Sequence, residues 1–214
     1  VTGADVSAEA FQFFDVKRMV VGMCDCIVQR VSYTGDLGFE IYTDAASQRA
    51  LWHALWAQGK PHGMRPFGMR AMMSLRLDKF FGSWLNEYSP DYTAGETGMD
   101  RFILFGKKSN FIGRQAAEAQ RAKGARRKPV VFEVDALDAD VIAYEPGWIN
   151  GAVRGFCTSG GYSHYAQKSI AMALVDAEHV NEDLEVEIEI LGELRSARRI
   201  TVPPFDPDGQ RMRE

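Results

Sequence analysis

Residues 184–191 read LEVEIEIL, and this alternation limits the possible folds more than any other stretch of the chain. Leu184, Val186, Ile188 and Ile190 fall on one face of an extended backbone, while Glu185, Glu187 and Glu189 fall on the other. A period of two with aliphatics on one side describes a strand with one face in a core and one in water. The acidic stripe reads as a solvated face that also deters edge-to-edge association. Similar texture begins at Pro129, where PVVFEV, GAVRGFCTSGG and KSIAMALV are all strand-like. Upstream, strands mix with helical stretches. The change falls near residues 124–128 and divides the chain into an α+β portion, 1–124, and a small antiparallel β domain, 125–214.

Within the first portion, VVGMCDCIVQRVSY (20–33) reads as strand and GFEIYT as a short second strand. Gly35 and Gly38 mark a tight turn between them, since glycine accepts positive φ without strain. Residues 28–42 therefore form a β-hairpin, with Phe39 and Ile41 facing one way and Glu40 and Tyr42 the other. A helix is expected over 45–58, with Asp44 as N-cap and a stripe of Leu51, Trp52, Leu55 and Trp56. A second is expected over 67–80, with Met69, Met72 and Met73 as core filler. GSWLNEYSPDYTAGETG (82–98) is a long loop of a kind that often carries function. A polar helix within 110–124 ends at Gly124.

Composition narrows the function classes. A net charge of −4, from 25 basic and 29 acidic side chains, argues against a general nucleic-acid binder. No apolar run approaches the roughly 20 residues of a membrane helix. Cys24, Cys26 and Cys157 lack framework spacing and read as reduced thiols of a cytosol-like compartment. The C-x-C pair has no second cysteine pair or nearby histidine to complete a zinc set, so no metal is expected. Glycines 35 and 38 are no phosphate loop, because Asp36 sits between them and a strand, not a helix, follows. None of His53, His62, His164 and His179 sits in triad order with a nucleophile. The basic cluster Arg121, Lys123, Arg126, Arg127 and Lys128 suits a helix C-terminus, with an anionic substrate tail as the alternative.

RVSYTGDLGFEIY, SLRLDKFF, NFIGRQ and GFCTSGGYSHYAQKSIAMALV occur in the same order as in the glycine-cleavage T-protein (aminomethyltransferase) superfamily, which the chain resembles over nearly its whole length. SLRLDKF and the EYSPDYT loop before Gly98 are most similar to the C-terminal folate-binding part of dimethylglycine and sarcosine dehydrogenases. The resemblance implies an α+β fold, with the second half of a T-protein-like folate-binding domain followed by a small antiparallel β-barrel domain. It also implies tetrahydrofolate as cofactor, with Glu40 holding the pterin ring, Tyr33 packing along the folate and Phe81 at the place of a ligand-lining tyrosine. A pterin presents an amino group and a ring N–H side by side, and a carboxylate can accept both. Met72 stands where T-proteins carry an arginine, and Arg70, half a helical turn away, is not assigned in its place.

In the family the catalytic aspartate lies upstream of the region matched here, and the chain opens at Val1 without an initiator Met. The expectation is thus a C-terminal fragment that packs against the missing N-terminal half of its own protein. No catalytic residue is assigned within it, and FAD belongs to the missing part. The implied activity is one-carbon transfer from an N-methyl amine to tetrahydrofolate, in the cytoplasm, or in the mitochondrial matrix of a eukaryote. Alternatives are a folate-dependent demethylase, a stand-alone T-protein relative, and a non-catalytic folate-binding protein. KSNFIGRQ lacks the cysteine that marks the last group.

Overall fold

The computed structural model describes residues 1–136, 138–181 and 183–214. These form two compact units, Val1–Lys79 with Phe205–Glu214, and Phe80–Pro204. Among the described residues no helix is long and apolar enough to cross a membrane.

The first unit is built on a three-stranded antiparallel sheet in the order β1 (Val16–Val21), β2 (Cys24–Gln29), β3 (Glu40–Tyr42). The sequence stretch 20–33 is therefore not one strand. Gly22, at φ 63°, turns the chain so that Val21 pairs with Cys24. Cys24, Cys26 and Val28 point into the core beside Phe11 and Val21, and Ile41 packs against them from β3. The hairpin expected over 28–42 is present, with Val28 opposite Ile41 and Gln29 opposite Glu40. Its connection is a longer loop, because β2 already ends at Gln29.

Helix α1 (Gln48–Gly59) starts later than expected, because Asp44 caps a preceding turn. Asp44 accepts the Ser47 N–H at 2.8 Å and the Ser47 hydroxyl at 3.0 Å. Leu51 and Leu55 face the core, whereas Trp52 lies outside and stacks on Trp56 at 5.7 Å. Helix α2 (Met69–Leu77) corrects the methionine expectation: Met69 is 68% exposed, and the buried end of this segment is Arg76–Lys79.

In the second unit the loop 82–98 is held by a buried carboxylate and by two of its tyrosines: the Gly82 N–H donates to the Tyr88 hydroxyl at 3.3 Å, and the Tyr92 ring lies 6.2 Å from that of Phe156. Trp84 is exposed, while Glu87 is buried and accepts the Ser83 N–H at 2.7 Å and the Ser159 hydroxyl at 2.5 Å. Helix α3 (Arg114–Lys123) follows and ends at Gly124, as its sequence indicates. The remainder is a closed antiparallel barrel, ordered β4 (Arg127–Val134), β7 (Lys168–Asp176), β6 (Ala152–Ser163), β5 (Pro146–Ile149), β8 (Glu185–Ile190), β9 (Glu193–Ile200) and back to β4. Leu184, Val186, Ile188 and Ile190 fill its interior with Phe132 and Val141, as the alternation requires. Closure removes the edge that the acidic stripe was read as protecting. The stripe instead meets β9 across the ladder, where Glu185 faces Arg198 and Glu187 faces Ser196.

Two outcomes follow from this packing. Ile188→Ala should cost about 2–5 kcal/mol through the cavity it leaves, whereas Glu187→Gln should stay within about 0.5 kcal/mol, both read by denaturant unfolding. Cys157, fully buried in the barrel core, has its thiol pushed from 9.0 up to about 12 by burial and the nearby Glu145 charge. Between those values the unfolded chain releases a proton that the fold retains. Stability should therefore fall as pH rises above about 9, by up to about 1.4 kcal/mol per unit, and Cys157→Ala should remove that part of the slope.

Candidate functional site

The β1–β2–β3 sheet covers the core with one face and leaves the other open. Because paired residues in an antiparallel sheet share a face, the registers define two rows on the open side. Glu40, Gln29 and Val16 form one row, and Tyr42, Ile27 and Arg18 form the next. The burial pattern agrees: Val16, Arg18, Ile27, Glu40 and Tyr42 are all exposed, while Val21, Cys24, Cys26 and Val28 are buried behind them. The open face thus combines a carboxylate with exposed aliphatic side chains.

Glu40 does not lie loose on this face. The Tyr42 hydroxyl donates a hydrogen bond to its Oε2. That bond, together with the carboxylate charge, pushes the Tyr42 hydroxyl above its ordinary value, so it remains a donor at neutral pH. Among the described residues no hydrogen bond engages Oε1. A carboxylate has roughly four lone-pair positions, so Glu40 retains the capacity for two further donors.

Tyr33 belongs to the same unit but not to a strand. It sits half-buried in the loop 30–39, which joins β2 to β3. The two glycines of that loop act differently. Gly35 adopts φ 94°, and a Cβ there would come within 2.6 Å of the Lys79 side chain and 3.2 Å of the Phe205 ring. Gly38 has no positive φ; a Cβ there would strike the Val31 carbonyl at 2.8 Å, so it allows the loop to fold back on itself. Ser32 supports the turn by accepting the Gly35 N–H at 2.9 Å. Phe81, the third residue expected at the ligand, belongs to the second unit and is half-buried at its start.

The supports of this loop carry no signal in the sequence. Arg30, buried at its start, donates to the Phe11 carbonyl at 2.6 Å and also to the carbonyl of Glu214. Arg211 bonds Asp36 at 2.9 Å, and Lys79 donates to the carbonyl of Asp206. The C-terminal residues therefore return to hold the loop between β2 and β3. Only Tyr42 could have been found from sequence, since it shares the strand face of Glu40 two residues away.

Two family models match in succession. The GCVT N-terminal domain covers residues 1–107, and the glycine cleavage T-protein C-terminal barrel domain covers residues 127–206. The chain belongs to the glycine cleavage T-protein family. Its match to mitochondrial dimethylglycine dehydrogenase of Homo sapiens is 37% identical and covers 90% of the chain and 22% of that protein. A match to the aminomethyltransferase of Caldanaerobacter subterraneus is 33% identical, over 89% of the chain and 50% of that protein. The chain thus spans half or less of the length of these T-protein relatives. The fold is shared with the glycine cleavage system aminomethyltransferase T from Bartonella henselae, with a TM-score of 0.82 at 24% identity over 93% of the chain and 54% of that structure.

The geometry at Gly35 makes a specific demand on the T-protein loop. Gly35→Ala adds a Cβ both at a left-handed backbone position and against packed side chains, and should destabilise the protein by more than about 1 kcal/mol. Thermal or denaturant unfolding checks this. Asp36→Asn, which removes an exposed ion pair, should cost at most about 1 kcal/mol.

Proposed function

We propose that this chain forms one wall of a tetrahydrofolate site in a one-carbon transfer module, with Glu40 as the residue that grips the pterin. The observation that carries this reading is the Glu40 carboxylate, held by Tyr42 on an open sheet face that also carries Ile27 on the neighbouring strand and Val16 on the next. A pterin is flat, with a largely apolar ring face and an edge of two parallel donors, the 2-amino group and the ring N3–H. The residues present fit that group. Glu40 has acceptor capacity for both donors in a bidentate pair, and Ile27 and Val16 offer apolar surface for the ring. Tyr33, in the adjoining loop, adds an aromatic surface.

Tetrahydrofolate supplies the nitrogens that take up the one-carbon unit. The role of this chain's residues is to bind and orient. Holding the acceptor beside the donor raises their effective concentration and turns an encounter into a positioned reaction. A carboxylate in this role also sets specificity. A ligand without the paired donors leaves Glu40 with unfilled acceptors in a site from which the ring has excluded water.

The one-carbon donor in this reading is an N-methyl amine such as dimethylglycine or sarcosine, oxidised with FAD. The likeness to dimethylglycine dehydrogenase, at 37% identity, supports it. No residue of this chain is assigned to FAD or to the catalytic acid–base step. A second reading, an aminomethyltransferase without amine oxidation, has support from relatives at 33–35% identity. Assay of the full-length gene product that carries this chain, with FAD, dimethylglycine or sarcosine and tetrahydrofolate, separates the two: amine-dependent one-carbon transfer is expected for the first, and its absence favours the second.

The assignment of Glu40 is tested by titrating tetrahydrofolate into the wild type and the Glu40→Gln variant. Losing a charged acceptor should weaken binding about 10- to 100-fold. Equal affinities would contradict the assignment.

A further inference from the structure

We propose that Tyr42 is a positioning residue for folate recognition, acting through Glu40 rather than on the ligand; this rests on the reading of Glu40 as the pterin-binding carboxylate. Tyr42 and Glu40 stand two residues apart on β3, on the same open face, and the tyrosine hydroxyl donates to Glu40 Oε2. Each end of the short strand is anchored to β2. Glu40 lies opposite Gln29, Tyr42 lies opposite Ile27, and the next residue, Thr43, donates its hydroxyl to the Asp25 carbonyl at 3.0 Å. The phenol is therefore placed by a paired backbone, and its hydroxyl reaches the carboxylate from a fixed origin.

This arrangement has a specific consequence for a carboxylate that must accept two parallel donors. An exposed glutamate on a strand turns freely about its side-chain torsions, and a bidentate ligand would have to freeze them on binding. A hydrogen bond from a tethered donor sets the carboxylate plane beforehand, which lowers the cost of association without adding a contact to the ligand. Oε2 can accept a second hydrogen while keeping the one from Tyr42, so positioning does not consume the site. Glu40 raises the hydroxyl of Tyr42 above its usual value, and the donor is retained at neutral pH. Ring packing alone would not require the hydroxyl.

Tyr42→Phe keeps the ring and removes only that donor. Tetrahydrofolate is titrated into the wild type, Y42F, E40Q, E40A and the E40A/Y42F double variant, with the thermal midpoint of each recorded. Y42F should weaken binding roughly fivefold with an unchanged midpoint, and in the E40A background, which has no acceptor for the hydroxyl, it should have almost no further effect. If Y42F weakens binding by the same factor with and without Glu40, the hydroxyl does not act through the carboxylate and the proposal is overturned. It is likewise overturned if E40Q weakens binding and Y42F does not, a result that leaves the role of Glu40 intact. If E40Q itself binds as the wild type does, the reading of Glu40 fails and the positioning role falls with it.

Discussion

The site depends on the pairing of β3 with β2. Ile41 is the middle residue of a very short strand, and it packs against Cys24, Cys26 and Val28 in the core of the first unit. A strand of that length has little hydrogen bonding with which to fix its own register. Burial of Ile41 fixes it instead, and because side chains alternate, it also directs Glu40 and Tyr42 to the opposite face. A slip by one residue would bury the carboxylate and expose the isoleucine. One aliphatic contact thus determines that a carboxylate stands on the open sheet face that also carries exposed Ile27 and Val16.

A second constraint comes from distant sequence. The loop between β2 and β3 is supported at its start by buried Arg30 and farther along by Asp36 and Gly35, and the partners of these residues include Phe205, Arg211 and Glu214. Lys79 and Asp206 add an ion pair at 3.7 Å with little exposure of either side chain. Breaking a buried pair of this kind on one side leaves the other charge uncompensated, so the C-terminal residues belong energetically to the first unit. The barrel is inserted between the two parts of that unit along the chain and carries its own aliphatic core.

The sequence made the barrel strands with apolar alternation or long apolar runs legible: β4, β6, β7 and β8 fall where PVVFEV, GAVRGFCTSGG, KSIAMALV and LEVEIEIL placed them. Strand β9, ELRSARRI, carried no such signal because it buries little beyond Ala197 and owes its place to pairing with β8 and β4. Short β5 was hidden for a similar reason: its single tryptophan bonds Glu189 at 3.0 Å rather than filling the core. Gly22 lies within the strand-like stretch 20–33, and it is the residue at which the chain turns between β1 and β2. At the site, the facing of Glu40 and Tyr42 followed from period two, and the role expected of Glu40 came from family resemblance. The supports of the loop were illegible, since Arg30 and Arg211 gain their partners only when the two ends of the chain meet. Placing Tyr33 on a strand went wrong because β2 ends at Gln29, a boundary that hydrophobic pattern alone does not mark.

We propose that the Glu40 carboxylate, held on the open face of the sheet, receives the donor edge of a pterin. A structure of the protein determined with tetrahydrofolate bound tests it most directly. The 2-amino group and N3–H of the pterin should pair with the two oxygens of Glu40, with Tyr42 still donating to Oε2. A pterin bound elsewhere, with the Glu40 carboxylate facing only water, would contradict it.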